Sequence, residues 1–292
     1  MEQFLRAILF RTFGKDLTIK SYKSIGGGCI NNGLAVICED DFSGSAKYFI
    51  KWNEDHIDDL FEKEALGLSL LSNNSNFIIP DVIGHGSYGM KNFLILEFIE
   101  SGNSSYAFWE SFGEQLANMH RITHQQYGLD HTNYIGKLPQ VNHQNANWID
   151  FFIENRLEPQ LGMAVYNNKI SIDFAKKFKY LYSQLPGILV DEPPSLLHGD
   201  LWSGNFMVNE KGSVCLIDPA VYFGNREIEI AFTQLFGGFD DEFYRSYLET
   251  FPLEPGFGDR AAIYNLYPLL VHVNLFGESY LSGIERVIRR YG

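Results

Sequence analysis

Cysteine is scarce in this chain. Its 292 residues include three, Cys29, Cys38 and Cys215, an odd number without a Cys-x-x-Cys pair, which excludes a disulfide-built scaffold and a structural zinc site. Positive charge is also short: 23 Lys and Arg stand against 36 Asp and Glu, a formal net charge of −13. Such a surface does not attract phosphate backbones or anionic lipid, and no local basic cluster offsets the balance, so neither a nucleic-acid nor a membrane partner is expected. No apolar run is long enough to span a bilayer. The stretch Ile263 to Phe276 comes nearest, contains Asn265, Pro268, His272 and Asn274, and reads as a core helix. The start carries Arg6 and Arg11 among its apolar residues and lacks the basic start, apolar stretch and small-residue cleavage site of an export signal. A reducing cytoplasm is expected. Internal repeats and low-complexity tracts are missing too. Against these absences, 45% hydrophobic and 15% aromatic residues describe a globular chain with ample material for a core.

The apolar residues Phe4, Leu5, Ile8 and Leu9 recur at helical spacing, and Thr18 to Ile25 alternate as a strand. Gly26-Gly27-Gly28 interrupts that strand. A second strand at about 30–38, a turn from Asp40 to Gly44 and a third strand at about 47–52 complete an antiparallel meander. A helix over roughly 56–72 and two further strands, about 82–85 and 93–99, follow. Beyond Ser101-Gly102-Asn103 the pattern is mainly helical, near 105–121, 147–157, 171–184, 226–235, 240–248 and 258–282, with a short strand pair at about 206–208 and 214–217. The expectation is an α+β chain: an N-terminal five-stranded antiparallel lobe with one main helix over 1–100, a mainly helical lobe over 101–292, and a ligand cleft between them.

The chemistry concentrates in His198-Gly199-Asp200-Leu201-Trp202-Ser203-Gly204-Asn205 and in Asp218-Pro219 after the strand Val214 to Ile217. An Asp that orients an attacking hydroxyl, an Asn five positions later that takes a metal ion and a second Asp after the next hairpin form the constellation of kinase catalytic loops. Asp200, Asn205 and Asp218 stand in those places, with Pro219 where protein kinases have Phe. Lys51 ends the third strand, where a phosphotransferase holds the α and β phosphates. On the next helix Ile57, Leu60, Glu64, Gly67, Leu68 and Leu71 fall within roughly a quarter of the circumference. A carboxylate on that buried stripe requires a partner, and Lys51 is the candidate for Glu64. Backbone amides of Gly26, Gly27, Gly28, Cys29 and Ile30 can approach phosphates, although the Gly-x-x-x-x-Gly-Lys pattern is missing. Glu97, Phe98 and Ile99 run into a polar hinge, with the backbone of Glu97 and Ile99 offered to adenine. His198 and His120 read as structural, Cys38 and Cys215 as buried and inert. Cys29, in a glycine-rich loop, is the candidate for thiolate reactivity and for a redox-linked dimer.

With these residues the sequence resembles the fructosamine kinase (ketosamine 3-kinase) family, related to the aminoglycoside and choline phosphotransferases. The His198 to Asn205 loop with Trp202, the run Ile217 to Glu227, Leu235 to Phe239, Arg260 with Tyr264 to Tyr267, and Asn274 to Gly277 carry the resemblance. Glu229 and Ile230 depart from the Asp and Leu more usual there, a change that does not touch the expected chemistry. The resemblance implies a bilobal protein-kinase-like fold and transfer of the ATP γ-phosphoryl group to the 3-hydroxyl of a ribulosamine or fructosamine adduct, hence protein deglycation. It assigns the hydroxyl to Asp200, Mg²⁺ to Asn205 and Asp218, and the phosphates to Lys51 held by Glu64. Trp202 offers a face to sugar or amine, or else anchors the loop. An aminoglycoside-like acceptor on the same fold, and a module that only binds nucleotide, are the competing readings.

Overall fold

A computed structural model describes residues 1–26, 31–40, 44–55 and 57–291. Gly27, Gly28, Cys29 and Ile30, and with them most of the glycine-rich turn, lie outside the described residues. The chain divides into two compact units: Met1–Phe108 with Gly204–Pro219, and Trp109–Ser203 with Ala220–Gly292. A division near residue 100 alone would leave the hairpin after Asn205 with the helical part, whereas that hairpin clusters with the N-terminal sheet.

In the first unit a five-stranded antiparallel sheet has the order β1-β2-β3-β5-β4, with β1 Thr18–Ile25, β2 Asn32–Asp40, β3 Gly44–Asn53, β4 Val82–Tyr88 and β5 Lys91–Glu97. Strand alternation puts the two faces to different uses. On one face Leu34, Val36, Cys38 and Ile50 pack with Phe4, Leu5, Ile8 and Leu9 of helix α1 (Glu2–Phe13). Burial of this apolar layer stabilises the sheet. Lys51, next to Ile50 on β3 and paired in register with Leu94 of β5, faces the other way. Helix α2, Leu60–Asn74, packs on β4 and β5 and buries Leu60, Phe61, Ala65, Gly67, Leu68 and Leu71. It starts later than the spacing predicts, so Ile57 precedes it: Asp59 is the N-cap, and Lys63 N–H closes the first turn on Asp59 O.

The hairpin Phe206–Val208 with Val214–Leu216 joins this unit through Leu216 N–H, which donates to Ile78 O at 3.0 Å. It is also stitched to the chain after β5: Gly102 N–H donates to Val208 O at 2.9 Å. A Cβ on Gly102 would lie 2.4 Å from Asn209 O, so this close approach requires glycine.

The second unit is mainly helical. Its core gathers Trp148, Phe151, Phe152, Tyr222, Tyr264, Leu270, Val273 and Ile284. The single helix expected over 258–282 is three pieces, Phe257–Tyr264, Leu266–Phe276 and, after Glu278–Tyr280, Leu281–Tyr291. Asn265 makes the first break, its side chain donating to Ala231 O at 3.0 Å. Residues Phe152–Leu157 form a π-helical segment, and the strand Ser195–Leu197 pairs antiparallel with Tyr222–Gly224. Among the described residues no helix is long and apolar enough to cross a membrane.

Candidate active site

The first unit brings Lys51, Glu64 and Asp218 together. Lys51 Nζ lies 2.7 Å from Glu64 Oε1 and 2.9 Å from Asp218 Oδ1. The Lys51 side chain is 7% exposed, Glu64 11% and Asp218 37%, so the pair is inside and the second aspartate at its rim. Burial alone would lower the Lys51 pKa, but Asp218 and Glu64 outweigh it and hold the ammonium above its ordinary range. Burial raises the Glu64 carboxyl, Lys51 opposes that rise and Asp218 adds to it. The result is a fixed cation, oriented by two acceptors, two residues before the end of β3: a point charge suited to a phosphate.

Asp218 has φ +54°, a left-handed conformation that Asp tolerates better than most residues, and it precedes Pro219, which disfavours compact backbone at its neighbour. Local strain of this kind persists where the surroundings hold it, and here Lys51 does. The buried Asn205 is tied to the same segment, accepting at its carbonyl from Ile217 N–H at 3.1 Å. An amide and a carboxylate, both hard oxygen donors, fit Mg²⁺, which takes one or two protein oxygens beside nucleotide phosphates.

Of the predicted nucleotide contacts, Gly26 is exposed at the end of β1. Glu97, the last residue of β5, donates its N–H to Asp81 O at 2.9 Å. Phe98 lies half-buried with Lys47 Nζ 3.7 Å from its ring centroid, and Ile99 is half-buried beside it.

In the second unit the His198 to Asp200 loop leaves the strand Ser195–Leu197 and is held from beneath. Gly199 has φ +83°, and a Cβ there would stand 2.0 Å from Ala220 O. Asp200, half-buried, donates its N–H to His198 Nδ1 at 3.3 Å, which places the imidazole proton on Nε2 and makes His198 a structural acceptor. Trp202 is half-buried, its ring 6.4 Å from Phe236.

Glu229 is the residue that sequence reasoning undervalues. Its carboxylate, buried on the helix Glu227–Leu235, accepts from Gly199 N–H at 2.6 Å and from His198 N–H at 3.1 Å. His120 Nε2 lies 2.9 Å from the same carboxylate, His120 Nδ1 2.8 Å from Tyr247 OH, and Arg226 donates to Tyr247 OH at 3.2 Å. Arg226 in turn forms a two-bond pair with Glu192 at 2.8 and 3.0 Å. Burial would raise the Glu229 pKa, yet the hydrogen bond and electrostatic attraction of His120 and the Gly199 amide together lower it. The departure from Asp at this position therefore does reach the loop: the longer side chain spans to two of its amides. The same logic that singles out Glu64, a carboxylate among Ile228, Ile230, Ala231 and Phe232, marks Glu229.

A five-stranded sheet with one helix, the strand lysine bound to a helix glutamate, and a His-Gly-Asp loop supported from a buried helix define the protein-kinase-like class of fold. Within that class the chain belongs to the fructosamine kinase family, whose model matches residues 1–291. A Synechocystis protein designated a probable ketoamine kinase is 36% identical over 283 residues, 96% of this chain and 93% of the relative. The chloroplastic protein-ribulosamine 3-kinase of Oryza sativa subsp. indica is 37% identical over 286 residues, 96% of this chain and 81% of the relative. The crystal structure of a Haemophilus somnus 129PT protein designated a fructosamine-3-kinase superimposes with a TM-score of 0.85 at 30% identity, covering 98% of this chain and 96% of that one.

Proposed function

We propose that the chain transfers the γ-phosphoryl group of ATP to the 3-hydroxyl of a ketosamine, a ribulosamine or fructosamine adduct of an amine, in the cytoplasm. The phosphorylated adduct decomposes and frees the amine, so the biological result is deglycation. The observation that carries the reading is Lys51 Nζ bound between Glu64 and Asp218 in a chain matched by the fructosamine kinase model from end to end. Phosphoryl transfer requires positioning and charge neutralisation more than covalent work by side chains. Lys51, fixed by Glu64, holds the α and β phosphates, with backbone amides from Gly26 to Ile30 around them and the carbonyl of Glu97 and the amide of Ile99 at the adenine edge. Asn205 and Asp218 hold Mg²⁺, which when bound neutralises phosphate charge. Asp200 orients the sugar hydroxyl and accepts its proton as the oxygen attacks phosphorus and ADP leaves, and Trp202 gives a face to the acceptor. Cys29, set among glycines, is the site at which peroxide links two chains by a disulfide and slows turnover. Cys29→Ala then resists the oxidant, and equal loss in parent and variant contradicts the assignment.

The test is ADP release from ATP, with and without Mg²⁺, on ribulosyl-lysine, fructosyl-lysine and an aminoglycoside as separate acceptors. Mg²⁺-dependent turnover on a ketosamine is the expected result. Turnover confined to the aminoglycoside, or none, overturns the reading.

A further inference from the structure

A set of buried polar residues in the second unit takes no part in the roles above. The hairpin Asn133–Ile135 with Leu138–Gln140 carries Asn133 and Gln140, and Asn142 follows it. All three are buried. The π-helical turn Phe152–Leu157 adds Arg156, whose side chain is fully enclosed. Turns of this kind are rare and recur at functional sites. The hydrogen bonds of Arg156 go to neutral oxygens, those of Val141 and Asn155 in the backbone and Asn142 Oδ1 at 2.8 Å, and its guanidinium lies 3.8 Å from the centroid of the Tyr222 ring.

The guanidinium sets the direction of a chain of amides. Because Arg156 can only donate, Asn142 presents its oxygen to it and its NH₂ to Asn133 Oδ1 at 2.8 Å. Asn133 then turns its own NH₂ to Val221 O at 2.8 Å. Gln140 points its NH₂ at two acceptors, Asn133 Oδ1 at 2.8 Å and Ala220 O at 2.9 Å, which leaves Oε1 for the Tyr267 hydroxyl at 2.7 Å. The chain thus ends on two successive backbone carbonyls. Ala220, whose carbonyl is gripped, donates its N–H to His198 O at 2.9 Å, and Tyr222, the ring under the guanidinium, pairs in register with Leu197. The gripped backbone is therefore the one that lies against the residues leading into Asp200.

We propose that Gln140 and Asn133, oriented by Tyr267 and Arg156, are positioning residues for Asp200: they hold the carbonyls of Ala220 and Val221 so that Ala220 N–H fixes the carbonyl of His198. The inference rests on the reading of Asp200 as the group that orients the sugar hydroxyl. The planar peptide between His198 and Gly199 is clamped at both of its polar ends, its N–H on Glu229 Oε1 at 2.6 Å and its C=O on Ala220 N–H at 2.9 Å. With that plane fixed, the direction in which the chain enters Asp200 is fixed too. Packed apolar side chains would stabilise the interior at least as well as a buried guanidinium and three amides. What a fully bonded polar network adds is a single geometry, since each of its members is costly to leave unpaired.

The experiment pairs steady-state kinetics with hydrogen exchange on the intact chain. Gln140→Met keeps the volume and removes both donors and the acceptor, whereas Tyr267→Phe keeps the ring and removes only the hydroxyl that orients Gln140. With ATP and ribulosyl-lysine, Gln140→Met is expected to lower kcat about 10–10²-fold and Tyr267→Phe about two- to tenfold, with KM for ATP within about twofold of wild type in both. Amide exchange over residues 197–203, read by mass spectrometry, is expected to quicken in the same order while helix α2 keeps its wild-type protection. Unchanged exchange over 197–203 in both variants, or exchange that quickens equally in every helix of the second unit, overturns the clamp. Local quickening with wild-type kcat in both variants overturns its positioning role. A wild-type protein that turns over no ketosamine, with the local quickening present in the variants, overturns the ketosamine reading and leaves the clamp on the loop standing.

Discussion

Replacing Glu229 by Gln removes one charge and turns one acceptor oxygen into a donor while keeping the volume. Two oxygens now serve three donors: Gly199 N–H at one, His198 N–H and His120 Nε2 at the other. Whichever way the amide of the variant is turned, its NH₂ faces at least one N–H inside the protein. Breaking a buried, hydrogen-bonded charge in this way costs about 3–5 kcal/mol, and at about 2–4 °C per kcal/mol for a chain of this order the unfolding midpoint falls by roughly 10 °C. The effect on activity is separable. Loss of the two amide anchors lets the His198 to Asp200 loop drift, and a displacement of about 1 Å is expected to lower kcat about 10²-fold, whereas KM for ATP, which the proposed function assigns to Lys51, is expected to change little. The pH dependence has a definite sign. Because the folded Glu229 pKa is lowered, its stabilisation is complete above the unfolded carboxyl value of about 4.3 and disappears as pH falls through the folded value. The gap in midpoint between wild type and Glu229→Gln is thus constant from neutrality down to about pH 5 and closes in stronger acid. Thermal unfolding across that range together with steady-state kinetics measures both parts. A variant with wild-type midpoint and kcat at pH 7 would refute the role of Glu229.

Other substitutions report on other parts of the site. Lys51→Met leaves Glu64 and Asp218 without their shared cation and is expected to lower kcat/KM for ATP by about 10²–10³-fold, with nucleotide binding by titration weakened in parallel. Gly199→Ala forces a Cβ toward Ala220 O at a positive φ and is expected to destabilise by about 3 kcal/mol, read by denaturant unfolding. Burial pushes the Cys38 thiol up to about 11, and burial together with the charge of Glu97 pushes Cys215 up to about 12. Alkylation of the native protein at pH 8 followed by mass spectrometry is therefore expected to leave both unmodified, with denaturation exposing them.

The Lys51–Glu64 pair is legible because two periodicities meet: a strand that carries Lys51 near its end and a helix whose apolar stripe contains one carboxylate. The five strands of the sheet are legible for the same reason, each having seven to ten residues over which alternation shows. The three-residue strands Phe206–Val208 and Val214–Leu216 show through the short hairpin that joins them, whereas Ser195–Leu197 and Tyr222–Gly224 pair without one, so that small sheet is not visible in the sequence. Chain distance hides the partners of Glu229, which lie 30, 31 and 109 residues away. The contact of Lys51 with Asp218 across 167 residues is likewise a product of the hairpin folding onto the sheet. The late helix breaks where the Asn265 side chain finds Ala231 O, a tertiary bond that no local propensity announces. Only folding places Trp202 beside Phe236.

The central claim is the position of the transferred phosphoryl group. Incubation of ribulosyl-lysine labelled with ¹³C at C3 with ATP and Mg²⁺, followed by ¹³C and ³¹P NMR, is expected to show phosphorus coupled to C3 in the wild-type protein. Under the same conditions Asp200→Asn forms that product about 10²–10⁴-fold more slowly. Phosphate on another hydroxyl, or an Asp200→Asn protein with full turnover, would contradict the account.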